Sequence, residues 1–122
     1  MRNEDTPWLF PLLRSIRIRP AMYLGASEVR CLDNYLAGYR RARRDLGIVP
    51  VPPNEASRWQ EFEAWVAKTY ASPKARGWEG TVQALDSSER NIETFFELLD
   101  TFLATRGERL ETLECEPPQE QQ

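Results

Sequence analysis

The stretch Ser88 to Thr105, SERNIETFFELLDTFLAT, decides how the chain reads. Ile92, Phe95, Phe96, Leu99, Phe102 and Leu103 recur at the three- and four-residue spacing that lines one side of an α-helix, while Glu93, Glu97 and Asp100 fall elsewhere around it. A stripe this wide, carrying three phenylalanines, has to be covered by other elements. The segment is therefore expected to be the central helix of a bundle.

Working outward, three further segments read as its partners. Thr6-Pro7 resembles a helix start, a capping hydroxyl before proline, and is followed by Leu9, Leu12, Leu13 and Ile16 on one face. Pro11 interrupts that pattern, so the helix is expected to kink there or to begin near Phe10. Ser27 is expected to cap a second helix through Leu46, with Val29, Leu32, Leu36, Tyr39 and Leu46 on its stripe and Gly47 just past its end. Ser57-x-x-Gln60 reads as a capping box opening a third, with Trp59, Phe62, Val66 and Tyr70 at helical spacing and Trp65 widening the face.

Between these lie an ordered loop over Arg19 to Gly25, where Pro20 pushes Arg19 toward extended geometry, and a proline-rich linker from Val49 to Asn54. Ser72-Pro73 is expected to end the third helix, and Trp78 to Leu85 is ambiguous between helix and strand. After Gly107 the Glu-, Gln- and Pro-rich sequence ERLETLECEPPQEQQ lacks core periodicity. The reading is an all-α fold, a compact bundle of four to five helices with at most one marginal strand. Residues 1–110 form its single domain and 111–122 a flexible tail.

Composition agrees with one core. At 122 residues, 41% hydrophobic and 29% charged, the chain is too apolar for wholesale disorder. No apolar run reaches the roughly 18 residues of a membrane span, and the start MRNEDTPWLF carries acids where a signal peptide carries bases. A cytoplasmic protein with no membrane partner is expected. Residues 1–50 hold nine arginines against five acids (+4), whereas residues 51–122 hold seven bases against fourteen acids (−7). Such asymmetry either steers a charged partner or draws the two halves together.

The segment Ile16-Arg17-Ile18-Arg19-Pro20-Ala21-Met22-Tyr23-Leu24-Gly25 resembles the amino-terminal signature of type II topoisomerase ATPase subunits, with Asp33-Asn34 placed like that family's nucleotide-binding acid and asparagine. The Asp-x-Gly-x-Gly segment and the glycine-rich lid are missing, and alanine stands at the family's glycine. No phosphate cradle remains. A broader pattern joins Arg19-Pro20, Met22-Tyr23-Leu24-Gly25, Tyr35-Leu36-Ala37-Gly38-Tyr39, Phe62, Trp65-Val66-Ala67, Ala75-Arg76-Gly77-Trp78 and Phe95-Phe96-Glu97-Leu98-Leu99-Asp100. Over residues 8–103 it resembles a small, uncharacterised family of bacterial helical proteins. The resemblance implies no activity of its own, but small acidic one-domain proteins of this kind recur as immunity partners of secreted bacterial toxins.

Catalysis finds little to work with. The chain has no histidine, the commonest general base. Glu61 and Glu63, two apart, diverge on a helix, whereas Glu93 and Glu97 share a face that reads best as solvated surface. Cys31 reads as a packing residue, and Cys115 as incidental in the tail, with no CxxC spacing. No enzyme activity, cofactor or metal is expected.

The expected function is that of a protein-binding module, an immunity or antitoxin-type inhibitor that occludes a toxin's active site with an acidic helical face. Its candidate contacts are Glu79, Asp86, Glu89, Glu93, Glu97 and Asp100, flanked by the aromatic anchors Tyr23, Trp59 and Trp78. The chain itself is expected to be a monomer or weak homodimer. The alternative is a small nucleic-acid or nucleotide-binding regulator using Arg17, Arg19 and the Arg40, Arg41, Arg43, Arg44 cluster beside Tyr35 and Tyr39. The acidic pI near 5.1 weighs against it.

Overall fold

Six α-helices and no strand make up the described part of the computed structural model, residues 6–70 and 77–113. They are α1 (Leu9–Ile18), α2 (Pro20–Leu24), α3 (Val29–Asp45), α4 (Pro53–Thr69), α5 (Gly77–Leu85) and α6 (Ile92–Thr105). The all-α reading holds, and the ambiguous segment at 78–85 is helix. The helix-ending Ser72-Pro73, Ala75-Arg76 and the tail from residue 114, with Cys115, lie outside the described residues.

Where the helices begin differs from the sequence reading: α1 and α3 have their first donors satisfied by distant side chains, and α2 and α4 start on prolines. Thr6-Pro7 does not open α1. The helix starts after Trp8, which caps nothing with its side chain. Its first amides turn instead to Glu55 in α4: Oε1 accepts from Trp8 N at 2.8 Å and Leu9 N at 3.0 Å, and Oε2 from Phe10 N at 2.9 Å. The fourth position is Pro11, which has no N–H to satisfy, and the regular ladder then begins with Leu12 N donating to Trp8 O at 2.9 Å. Pro11 thus fits the first turn without breaking a helical hydrogen bond.

The expected loop at Arg19 to Gly25 contains α2. Arg19 leaves the helical region (φ −140°, ψ 71°), as a residue before proline should, and Pro20 occupies the first helical position, where no N–H is needed. Gly25, at φ 79°, ends the turn by donating to Ala21 O at 2.8 Å. Helix α3 is capped not by Ser27 but by Asn91, whose Oδ1 accepts from Val29 N at 2.7 Å, while the Ser27 carbonyl accepts from Ile92 N at 3.1 Å. Helix α4 starts four residues before Ser57, again on a proline, so the proposed capping box lies inside the helix.

Two helix ends follow one pattern. Gly47 (φ 75°) and Gly107 (φ 72°) adopt the left-handed conformation after α3 and α6. Ile48 N then reaches Arg43 O and Glu108 N reaches Leu103 O, both at 2.9 Å, closing the paired Schellman hydrogen bonds.

The core gathers Leu9, Phe10, Leu13 and Ile16 from α1, Leu32 and Leu36 from α3, Phe62 and Val66 from α4, and seven residues of α6. At its centre Phe62 meets Phe95 and Phe102 edge-on, at 5.8 and 5.6 Å between ring centres. Beyond α6, Leu110 and Leu113 are buried in a short turn, and Arg14 donates to their carbonyls at 3.0 and 2.5 Å. Both leucines belong to the core cluster.

Candidate protein-binding surface

The corner between α1 and α2 breaks the apolar pattern of its own helix. Ile16 belongs to the buried stripe, and Ile18, two residues on, points about 200° away around the helix. It is 77% exposed, and Met22 on the short α2 is 64% exposed. Tyr23 and Leu24 of the same motif pack on the core instead.

Ile18 borders a groove of about 470 Å³ between this corner and the first turns of α6. Arg17, Ile18 and Pro20 form one wall, Ile92, Glu93, Phe96 and Glu97 the other, with Ser27 and Arg90 also lining it. Both arginines are engaged within the chain. Arg17 lies over the Phe96 ring, 5.4 Å from its centre, and grips Asp100 through both terminal nitrogens at 2.8 and 2.5 Å. Arg90 meets Glu93 at 2.5 Å. The Asp100 hydrogen bonds and charge raise the Arg17 pKa against the opposing effect of burial.

The acids of the expected binding face divide accordingly. Glu89, Glu93 and Glu97 are exposed, and the last two flank the groove. Asp100 serves as the partner of Arg17. Asp86 braces the α5–α6 turn, accepting from Thr94 Oγ1 at 2.6 Å and Ser88 N at 2.9 Å, hydrogen bonds that hold its carboxyl below the usual range. Glu79 belongs to another neighbourhood, half-buried on α5, where burial and the nearby Asp33 raise its pKa despite Arg30.

The aromatic anchors are redistributed. Trp59 and Trp78 are each only 6% exposed and pack edge-to-face at 5.3 Å, so neither offers a contact surface. The Trp59 indole donates to Glu63 at 3.1 Å. Tyr23 is partly buried against the core. Ile18 and Phe96 were not anticipated as groove residues. Ile18 was legible as an isoleucine off its helix's stripe, whereas Phe96 becomes a groove residue only once α6 is placed against α1.

The basic alternative loses several members to internal partners. Besides Arg17, Arg41 pairs with Asp45 at 3.2 Å, and Arg43 donates to Val49 O at 3.0 Å while covering the Trp8 ring. Tyr39 stacks on the same Trp8 ring at 4.2 Å. Among the described residues no helix is long and apolar enough to cross a membrane, and no group of three or more Cys, Asp and Glu is placed to hold a metal ion.

No protein-family model, no curated protein and no solved structure matches the chain.

Proposed function

We propose that the protein is a protein-binding module of the immunity or antitoxin kind, which blocks a bacterial toxin enzyme by covering its active site with the groove face of α6. The observation that carries this reading is the juxtaposition of a solvent-exposed Ile18 with the exposed carboxylates of Glu93 and Glu97 across one open groove. Apolar contact area supplies affinity, and carboxylates at the rim accelerate encounter with a basic cleft, such as those of enzymes acting on nucleic acids or nucleotides.

The test is expression of the adjacent open reading frame with and without this chain. The reading expects the neighbour to arrest growth alone, rescue by this chain, and a purified complex in which the toxin's activity is suppressed. Glu93→Lys with Glu97→Lys should slow association at low salt and have less effect at high salt. A harmless neighbour, or a toxic one that this chain neither binds nor inhibits, would sink the proposal.

A further inference from the structure

We infer that the cleft between the second half of α3, the 46–52 connection and α4 is a binding site for a free aliphatic α-amino acid, its carboxylate on Arg40 and its ammonium on Glu63. The site is independent of the protein-binding reading above, and it shares no lining residue with the groove between the α1–α2 corner and α6.

Ala56, Gln60 and Glu63 stand on one face of α4, at the three- and four-residue spacing that aligns side chains, and Arg40 lines the same cleft from α3. The cleft measures about 270 Å³, below the roughly 300 Å³ at which pockets for drug-sized ligands begin, so its occupant is small. Two opposite charges thus share one small space without being joined. Among the described residues Arg40 makes neither an ion pair nor a hydrogen bond, and it acts on Glu63 only through its field. Glu63 is half-buried, and only its Oε2 has a donor, the Trp59 indole at 3.1 Å. A carboxylate can accept about four hydrogen bonds. Burial penalises the charge and raises the Glu63 pKa, Asp33 adding to the rise and Trp59 and Arg40 opposing it.

Both groups are satisfied by one molecule that brings a donor cation to Glu63 and an acceptor anion to Arg40. A free α-amino acid carries the two on adjacent atoms. A peptide end carries only one of them beside an uncharged amide, and a quaternary ammonium has no N–H to give Glu63. Gln60, exposed and without a partner among the described residues, adds an amide donor and acceptor at the rim. Leu9 and Trp59 lie buried behind the surface, so apolar contact is left to the partly exposed Val51 and Ala56. That small wall suits a short aliphatic side chain rather than an aromatic one.

L-Valine is the probe, titrated against the ¹⁵N-labelled full chain. Beside it run isovalerate, which lacks the ammonium, valinamide, which lacks the carboxylate, and phenylalanine, which keeps both charges on a larger side chain. Saturable binding of valine is expected, with shifts concentrated at Arg40, Gln60, Glu63 and the Trp59 indole N–H, whose acceptor is the carboxylate that takes the ammonium. Isovalerate and valinamide should each bind at least tenfold more weakly, and phenylalanine more weakly than valine. Arg40→Met and Glu63→Gln should each weaken valine binding at least tenfold, and Arg44→Met, on α3 but outside the cleft, less than twofold. Arg40 has no partner to lose, and Glu63→Gln keeps an oxygen for the Trp59 indole, so both variants keep the fold, which the unchanged remainder of their spectra verifies.

Absence of saturable valine binding overturns the inference. So does isovalerate or valinamide binding as tightly as valine, which would show that one charge suffices, or valine affinity unchanged in either cleft variant. Phenylalanine binding as tightly as valine would overturn the aliphatic assignment.

Discussion

At the residue scale, Glu55 carries more of the architecture than any other polar side chain described. It is fully buried and accepts three backbone N–H groups at the positive end of α1, so one carboxylate joins α4 to the start of α1. Glu55→Ala leaves those donors without a partner in the core, and at about 1–3 kcal/mol for each stranded group the expected loss is more than about 3 kcal/mol. Glu55→Gln keeps one acceptor oxygen but sets an NH₂ against an N–H, and should cost less, about 1–2 kcal/mol. Urea melts of the two variants check the order, and equal losses would mean that volume rather than hydrogen bonding is at stake. A second prediction concerns Asp33. Burial raises the pKa of both Glu63 and Glu79, and Asp33 adds to the rise in each. These glutamates therefore bind protons more tightly folded than unfolded, so stability falls as pH climbs from the ordinary glutamate range through their raised values, and the penalty persists above. Asp33→Asn should move both side-chain titrations to lower pH by NMR and stabilise the fold near neutrality by a few tenths of a kcal/mol. Unmoved titrations would show that the carboxylates do not feel one another.

At the element scale, what the sequence displayed was the middle of each helix and the glycine at its end, because both are encoded within a few residues. The α6 stripe was read correctly, as was Gly47 closing α3. The beginnings of α1 and α3 were misplaced because their caps come from far away in the chain, Glu55 from 45 to 47 residues off and Asn91 from 62. Glu55 even leaves a trace, since it extends the Trp59, Phe62, Val66 stripe one turn upstream, an acid where an apolar residue would be expected. The groove was half legible: Glu93 and Glu97 are evident on α6, but nothing in residues 16–20 says that they face α6. Asn91 provides the test at this scale. It is buried, caps α3 through Val29 N, and donates through Nδ2 to Asp86 O at 3.1 Å. Asn91→Ala should destabilise by about 1–2 kcal/mol and speed amide exchange at Val29 more than at the middle of α4. Gly47→Ala offers a contrast. A Cβ there meets nothing within 4 Å, so its expected loss of about 1 kcal/mol is purely the strain of φ 75°.

At the scale of the whole molecule, the turn after α6 shows how a segment without periodicity still belongs to the core. Residues 108–113 offer only Leu110 and Leu113, too little for a helical pattern, yet both are buried and Arg14 holds the backbone between them. Glu108 adds a charged clasp: it accepts from Arg58 at 3.1 Å and from Arg106 at 3.1 Å, joining α4 to the end of α6. Burial pushes its carboxyl upward, but the two guanidinium groups outweigh that and hold it below the ordinary glutamate range. A chain ending at Gly107 should therefore lose stability for two separable reasons. The apolar loss, at about 1.5–3 kcal/mol for each buried leucine as an upper bound, is present at every pH. The contribution of Glu108 is different. Because its folded-state pKa is depressed, the stabilisation is complete above the ordinary glutamate range and disappears as pH falls through the lower folded value. Denaturant midpoints of the full and shortened chains should thus differ most near neutrality and approach one another in acid without meeting, the remaining gap being that of the leucines. Leu110→Ala with Leu113→Ala, which keeps Glu108, should reproduce the pH-independent gap alone. A gap for the shortened chain that does not change with pH would mean that the clasp adds nothing and that the turn is held by its two leucines and Arg14.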